Sequence, residues 1–298
     1  MTKCLLCGQR SPIKNSHIVP ALFVRRLKRG TPVKSLRDSN NVTRPVQDGW
    51  KGPFYCRRCE SLFSGWERHF ATQLYDPYLR DESMSVVIDT ALVLFLLSVH
   101  FRYIEYAKER NKGLPPSNGT LEALLSRLRA ALLKEEIAAE VYLYVTPLKP
   151  MTTLTQLPPG CNTYFFEVID GYVFEWKLPS GESVWISYVK VPALMFFLAT
   201  RSLSDICRKP DILDPYETRV DSRFDPTLPA SIVLMETVLD RVRQAAESIQ
   251  VSYAQMPDSQ IESIISQIQS DPDYKKSRAH KSYLLDLELV KKMKCGSR

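Results

Sequence analysis

Two Cys-x-x-Cys steps constrain this chain more than any other feature: Cys4-Leu-Leu-Cys7 near the N-terminus and Cys56-Arg-Arg-Cys59 further on. Each step puts two sulfurs on one tight turn, where both reach the same ion. Two such turns supply the four thiolates of a tetrahedral zinc site. A four-cysteine site leaves no open position for a substrate, so the zinc expected on Cys4, Cys7, Cys56 and Cys59 is structural. Gly8, just past the first pair, eases the turn because glycine tolerates positive φ. The second pair runs into a helical pattern, in which Leu62, Phe63, Trp66 and Phe70 recur at three- and four-residue spacing. A knuckle, a hairpin-like middle and a closing pair at a helix start describe a treble clef.

Charge is concentrated in the same segment. Of the net +7, residues 1–82 carry 15 Lys+Arg against 7 Asp+Glu, or +8, and the remainder 25 against 26, or −1. A concentrated basic field attracts polyanions, of which phosphate backbones are the commonest. The densest cluster is Arg25, Arg26, Lys28 and Arg29, and Arg57 and Arg58 lie between the closing cysteines. Nucleic acid, DNA in the first place, is therefore the expected partner of Arg25, Arg26, Lys28, Arg57 and Arg58. A solubilising surface is the plainer alternative. Cys161, Cys207 and Cys295 are scattered. The chain is too long and too poor in cysteine for a secreted disulfide scaffold, and a reducing, cytoplasmic compartment fits. Met1-Thr2-Lys3 runs directly into Cys4, with no apolar secretory core. The most apolar stretch, Val86 to Val99, falls short of the roughly 20 residues of a spanning helix and reads as a buried one. No membrane role is expected.

Beyond the cysteines the pattern is α+β. Residues 85–109 read as a long buried helix, and 113–119 as a linker. Thr120 reads as the N-cap of a helix to about Ala139 with Leu121, Leu124, Leu125, Leu128 and Leu132 on one face. A small antiparallel meander is expected at about 141–191. Ile169-Asp170-Gly171 reads as a hairpin turn between 163–168 and 172–178, and Pro179-Ser-Gly-Glu182 as the next turn. A loop over about 209–229 and helices over about 230–254, 258–269 and 283–292 complete the reading. The expected organisation is a zinc module, 1–82, followed by a mainly helical body, 83–298.

The layout Cys-x-x-Cys, then Ser16-His17-Ile18-Val19-Pro20, then Cys56-x-x-Cys59-Glu60 resembles the zinc-bearing HNH nucleases of the ββα-metal group over about residues 1–70. The resemblance implies that His17 is the general base that activates water, and that Glu60 stands at a position holding a divalent metal, Mg²⁺ or Mn²⁺. Ser16 stands where the family has an aspartate or histidine ligand. The family's middle asparagine has no counterpart in Asp48-Gly-Trp-Lys-Gly-Pro-Phe-Tyr-Cys56. The wider string, with Phe63, Trp66, Glu67, Phe70 and Ser98-Val-His-Phe-Arg102, is similar to a prokaryotic and phage-related branch suspected of acting in mobile elements or phage defence. The implied function is phosphodiester hydrolysis. The rival is a zinc module without catalysis that recognises nucleic acid or a protein.

Each residue also has a plainer reading. His17 could bond a backbone carbonyl. Glu60 and Glu67, seven apart on one helix face, could pair with nearby arginines. Trp50, Phe54, Trp66 and Phe70 could stack bases, but a small metal domain needs such side chains as core. His69 is expected on the helix surface and His100 as a satisfied core histidine.

Overall fold

In the computed structural model, residues 3–9, 11–13, 15–29, 36–38, 41–46, 48–110, 119–137, 141–147, 168–178, 180–202, 220–224, 240–241, 243–244, 247–248, 251–252, 254–277 and 280–288 are described. The fold is mixed, with helices and small antiparallel sheets. The chain groups into two compact units, each gathered from separate stretches: 1–22, 49–147 and 169–231 in the first, 23–48, 148–168 and 232–298 in the second. The first unit thus takes residues from both sides of position 82 and holds both cysteine pairs.

Two-residue strands β1 (Ser16–His17) and β4 (Lys51–Gly52) pair antiparallel, Ser16 opposite Gly52 and His17 opposite Lys51. Helix α2 (Arg57–Phe70) starts inside the second cysteine pair and buries Cys59, Phe63, Trp66 and Phe70, the stripe that the 3.6-residue period predicts. A wide turn, Ala71–Tyr75, joins it to α3 (Asp76–Arg80).

Helix α4 (Thr90–Glu109) is the axis of the first unit and is buried from Leu92 to Ala107. It begins later than the sequence pattern implied. Asp89 Oδ1 accepts from Leu92 N at 2.9 Å as an N-cap. Before it, β5 (Val86–Val87) pairs with β10 (Arg223–Phe224). Among the described residues, α4 alone is long and apolar enough to cross a membrane, yet it is enclosed by its neighbours. Helix α5 (Gly119–Lys134) packs on α4 and buries Leu121, Leu124, Leu125, Leu128 and Leu132 as expected. Thr120 lies within α5, and its hydroxyl accepts from Trp185 Nε1 at 2.8 Å.

The sheet has four antiparallel strands in the order β6 (Tyr142–Pro147), β9 (Leu194–Ala199), β8 (Ser183–Val191), β7 (Asp170–Lys177). The turn between β7 and β8 falls where predicted, with Gly181 at φ 84° and Gly181 N donating to Leu178 O at 2.8 Å. Two features differ from the sequence reading. Asp170 and Gly171 are not a turn: they open β7 opposite Lys190 and Val189. Gly171 is required there by close packing, since a Cβ would meet the Tyr103 ring at 2.5 Å, and the Tyr103 hydroxyl donates to Gly171 O. The central strand β9 had no period-2 signal because all six residues are buried. Its turn from β8 uses Ala193 at φ 71° rather than a glycine, and the Tyr75 hydroxyl donates to Pro192 O in that turn at 2.9 Å. Phe70, Phe95 and Phe196 join α2, α4 and the sheet, with centroids 4.0 Å apart for the first pair and an edge-on Phe196.

Most of α1 (Ala21–Arg29) belongs to the second unit, with Phe23, Val24 and Leu27 buried. There, β2 (Leu36–Asp38) pairs with β3 (Asn41–Val46), and Gln260 on helix α6 (Asp258–Ser270) donates to Thr43 O at 2.8 Å. The linker at 113–118, the strand expected at 163–167 and most of 203–239 lie outside the described residues, as does the end of the tail from 289.

Candidate metal centre and the adjoining His17–Glu60 site

The first knuckle closes through Gly8 N donating to Cys4 O at 2.8 Å, with Gly8 at φ 70°. Glycine takes this conformation without a Cβ penalty. Leu5 N donates to Phe54 O at 2.9 Å and Ile13 N to Tyr55 O at 2.8 Å. These bonds lay the knuckle along the segment 53–55 that leads into Cys56. The four Sγ atoms lie within 4.8 Å of one another. Cys7 and Cys56 are 3.8 Å apart. Zinc–sulfur bonds of about 2.3 Å imply a tetrahedron edge of about 3.8 Å, so the cluster has the size of a metal site. Cys4, Cys56 and Cys59 are buried and Cys7 is half-buried. Among the described residues no other group of three Cys, His, Asp or Glu side chains comes together in this way.

Electrostatics favour a cation at the cluster. A hydrogen bond from Cys59 pulls the Cys4 thiol down to about 4, and the same bond, with burial, pushes Cys59 up. The pair shares one proton that a divalent ion would displace. Cys56 N donates to Cys4 Sγ at 3.3 Å. Cys56 and Cys59 also sit at the N-terminus of α2, whose dipole favours thiolate. Arg57 and Arg58 are exposed on the first turn of the same helix.

β1 carries Ser16 and His17 past this cluster. Ser16 is fully buried, and its Oγ accepts from Tyr55 N at 3.0 Å and lies 3.3 Å from Tyr55 O. The residue standing at a metal-ligand position in the resemblance is thus engaged in stitching β1 to the segment before Cys56. Its hydroxyl proton has a second acceptor in reach, the Glu60 carboxylate, which it stabilises. His17 is half-buried and near enough to Glu60 to favour the ionised carboxylate. His17, on β1, thus lies within electrostatic reach of Glu60, on the first turn of α2.

Burial pushes the Glu60 carboxyl above its ordinary range, while Ser16, Arg102 and His17 pull it back and Glu67 adds to the rise. Glu60 Oε1 is buried without a hydrogen-bond partner among the described residues. A buried carboxylate oxygen left in that state is costly unless a cation or donor satisfies it. A carboxylate oxygen of this kind is a hard donor.

Glu67 pairs with an arginine as expected: Arg102 Nη1 donates to its Oε1 at 2.8 Å. Phe54, Trp66 and Phe70 are core, whereas Trp50 is half-buried and stacks on Tyr106 at 5.6 Å. His69 bonds Asp89 at the surface, 2.7 Å from Nε2 to Oδ2. His100 is fully buried, with Nδ1 2.9 Å from Ser187 Oγ. Arg25, Arg26 and Lys28 lie on α1 and are described with the second unit, Arg25 exposed and the other two half-buried. Arg102 and the pair Arg129–Glu105 were missed by the sequence reading. Arg129 donates to Leu5 O in the first knuckle at 3.2 Å and to Glu105 at 2.8 Å. Their signal was the placing of charges inside an apolar helix, which long ion pairs must then satisfy.

Comparison with protein-family models, with curated proteins and with solved structures finds no match.

Proposed function

We propose that the chain is a metal-dependent phosphodiester hydrolase of HNH type, acting on nucleic acid, with DNA the first candidate. In this reading Cys4, Cys7, Cys56 and Cys59 hold structural zinc in a treble clef. His17 takes a proton from the attacking water, and Glu60 holds a Mg²⁺ or Mn²⁺ ion. The exposed Arg57 and Arg58, beside the cluster, contact phosphates. Glu60 would hold the divalent ion, whose chemistry there would be Lewis-acid stabilisation of charge on the phosphate oxygens. The observation that supports the reading is a buried Glu60 oxygen with no hydrogen-bond partner among the described residues, within electrostatic reach of His17 and next in sequence to a cysteine cluster of zinc dimensions. Thiolates of this kind persist in a reducing cytoplasm. Action on mobile elements or phage belongs to the same proposal and rests on the sequence resemblance alone.

The purified chain is expected to contain one zinc and to nick supercoiled plasmid in Mg²⁺ or Mn²⁺. His17→Ala should keep its zinc and its far-ultraviolet spectrum while losing at least about 100-fold in rate, the usual share of a general base. Equal nicking by His17→Ala and the unaltered chain would sink the assignment. One observation favours a second reading, a zinc module that binds without cutting: Ser16 Oγ is engaged by the Tyr55 backbone, which leaves Glu60 as the carboxylate ligand. In that case His17→Ala binds nucleic acid or protein as before and neither protein nicks.

A further inference from the structure

The Arg102 guanidinium is almost wholly buried, at 1% exposure, in the middle of α4. Burying a charge there is unfavourable unless its donors are used, and their partners reveal what the charge holds. Nε donates to Ser98 O at 3.2 Å and Nη2 to Ser98 Oγ at 3.4 Å. Ser98 Oγ in turn donates to Phe95 O at 2.7 Å, which fixes its lone pairs toward the guanidinium. The plane lies 4.7 Å over the Phe63 ring. With its root fixed in this way, Nη1 reaches out of α4 to two other elements: Glu67 Oε1 on α2 at 2.8 Å and, at 3.5 Å, the carbonyl of His17 on β1.

Those are the two elements that carry His17 and Glu60. Glu67 lies two turns beyond Glu60 on the same helix face, so Arg102 holds α2 by its shaft while Glu60 occupies its first turn. β1 is only two residues long and pairs with an equally short β4. Its register is weakly held by ladder bonds, and further anchors matter in proportion. Ser16 supplies one from the Tyr55 side; Arg102 supplies another from the core.

We propose that Arg102 is a positioning residue that sets the distance between His17 and Glu60 by clamping β1 and α2 to α4. The inference rests on the hydrolase reading above. A lysine has no planar fork and cannot serve Ser98, Glu67 and His17 together, so Arg102→Lys keeps the charge and loses the clamp. Misplacement of reacting groups by about 1 Å costs on the order of 100-fold in rate.

The test measures plasmid nicking by the full chain, Arg102→Lys and Glu67→Gln, with zinc content and circular dichroism alongside. The inference expects both variants to keep one zinc and the DNA KM, with kcat reduced about 10- to 100-fold. A kcat unchanged in Arg102→Lys, or a loss confined to KM, overturns it while leaving the hydrolase reading intact. If Arg102→Lys does not fold, Glu67→Gln alone decides by the same criteria. If the unaltered chain fails to nick in Mg²⁺ and Mn²⁺, the hydrolase reading falls first and the inference with it.

Discussion

The cysteine-cluster region and the four-stranded sheet both belong to the first unit, yet they are held by different forces. In the sheet, strands of six to nine residues share continuous ladders, and β8 and β9 are almost entirely buried. Apolar area removed from water stabilises it, at roughly 25 cal/mol per Å². The cluster region has two strands of two residues each. Side chains bonded to backbone hold it: Ser16 to Tyr55, Arg129 to Leu5, Cys56 N to Cys4 Sγ. Four sulfurs meet at its centre, and they repel as thiolates unless an ion lies among them. A region built from turns and polar bonds has little apolar area to hold it, and a metal ion among the four sulfurs would supply what the ladders supply in the sheet.

The largest expected effect breaks that dependence. Removing the metal with a chelator, or Cys56→Ser, should abolish protection of amides in residues 4–20 against hydrogen exchange while β8 and β9 stay protected. Structural zinc contributes on the order of 10–16 kcal/mol in isolated small domains, far above any single contact here. Loss of protection in β8 and β9 at the same rate would show that the two regions unfold as one, and the contrast would fail.

The converse change is smaller. Phe196→Ala in β9 removes a fully buried ring from the Phe70–Phe95–Phe196 contact and should cost about 3–5 kcal/mol in urea unfolding. Zinc content should remain at one per chain. A variant that loses zinc along with stability would tie the cluster to the sheet more closely than their bonding suggests.

The smallest effect concerns acid. Burial alone pushes His100 down to about 3, against an ordinary value of 6.5. Above pH 6.5 the ring is neutral whether folded or not and contributes nothing to pH dependence. Below it the unfolded chain takes a proton that the folded chain refuses. Stability therefore falls toward pH 3, by up to about 1.4 kcal/mol per pH unit. The raised carboxyls of Glu60 and Glu105 act in the opposite sense, because their burial cost is relieved as they protonate. Urea unfolding at pH 7, 6 and 5 should show His100→Gln with a shallower acid decline than the unaltered chain. A constant gap between the two across that range would remove His100 as the cause.

Much of this was legible from residues alone. The doubled Cys-x-x-Cys spacing led to a cluster of metal dimensions, Gly8 to its positive φ, and the apolar periods of α2 and α5 to their buried faces. Each is a local rule, in which a turn, a cap or a 3.6-residue stripe needs only its neighbours in sequence. The failures were of another kind. β9 was invisible because a strand buried on both faces has no alternation, and its turn used Ala193 where a glycine would have signalled it. Asp170-Gly171 looked like a hairpin, but Gly171 answers to Tyr103, a residue far away in the chain.

The sequence by itself determined that four sulfurs would meet, that residues 1–82 carry the net positive charge, and that His17 and Glu60 would lie close to the cysteine pairs in the chain. Only the tertiary structure decided that His17 lies within electrostatic reach of Glu60, that Ser16 is engaged by the Tyr55 backbone, and that Arg102 reaches from α4 to both β1 and α2. The reason is range. Spacing along a chain fixes which atoms share a turn, whereas the distance between a strand and a helix is set by the third element against which both pack.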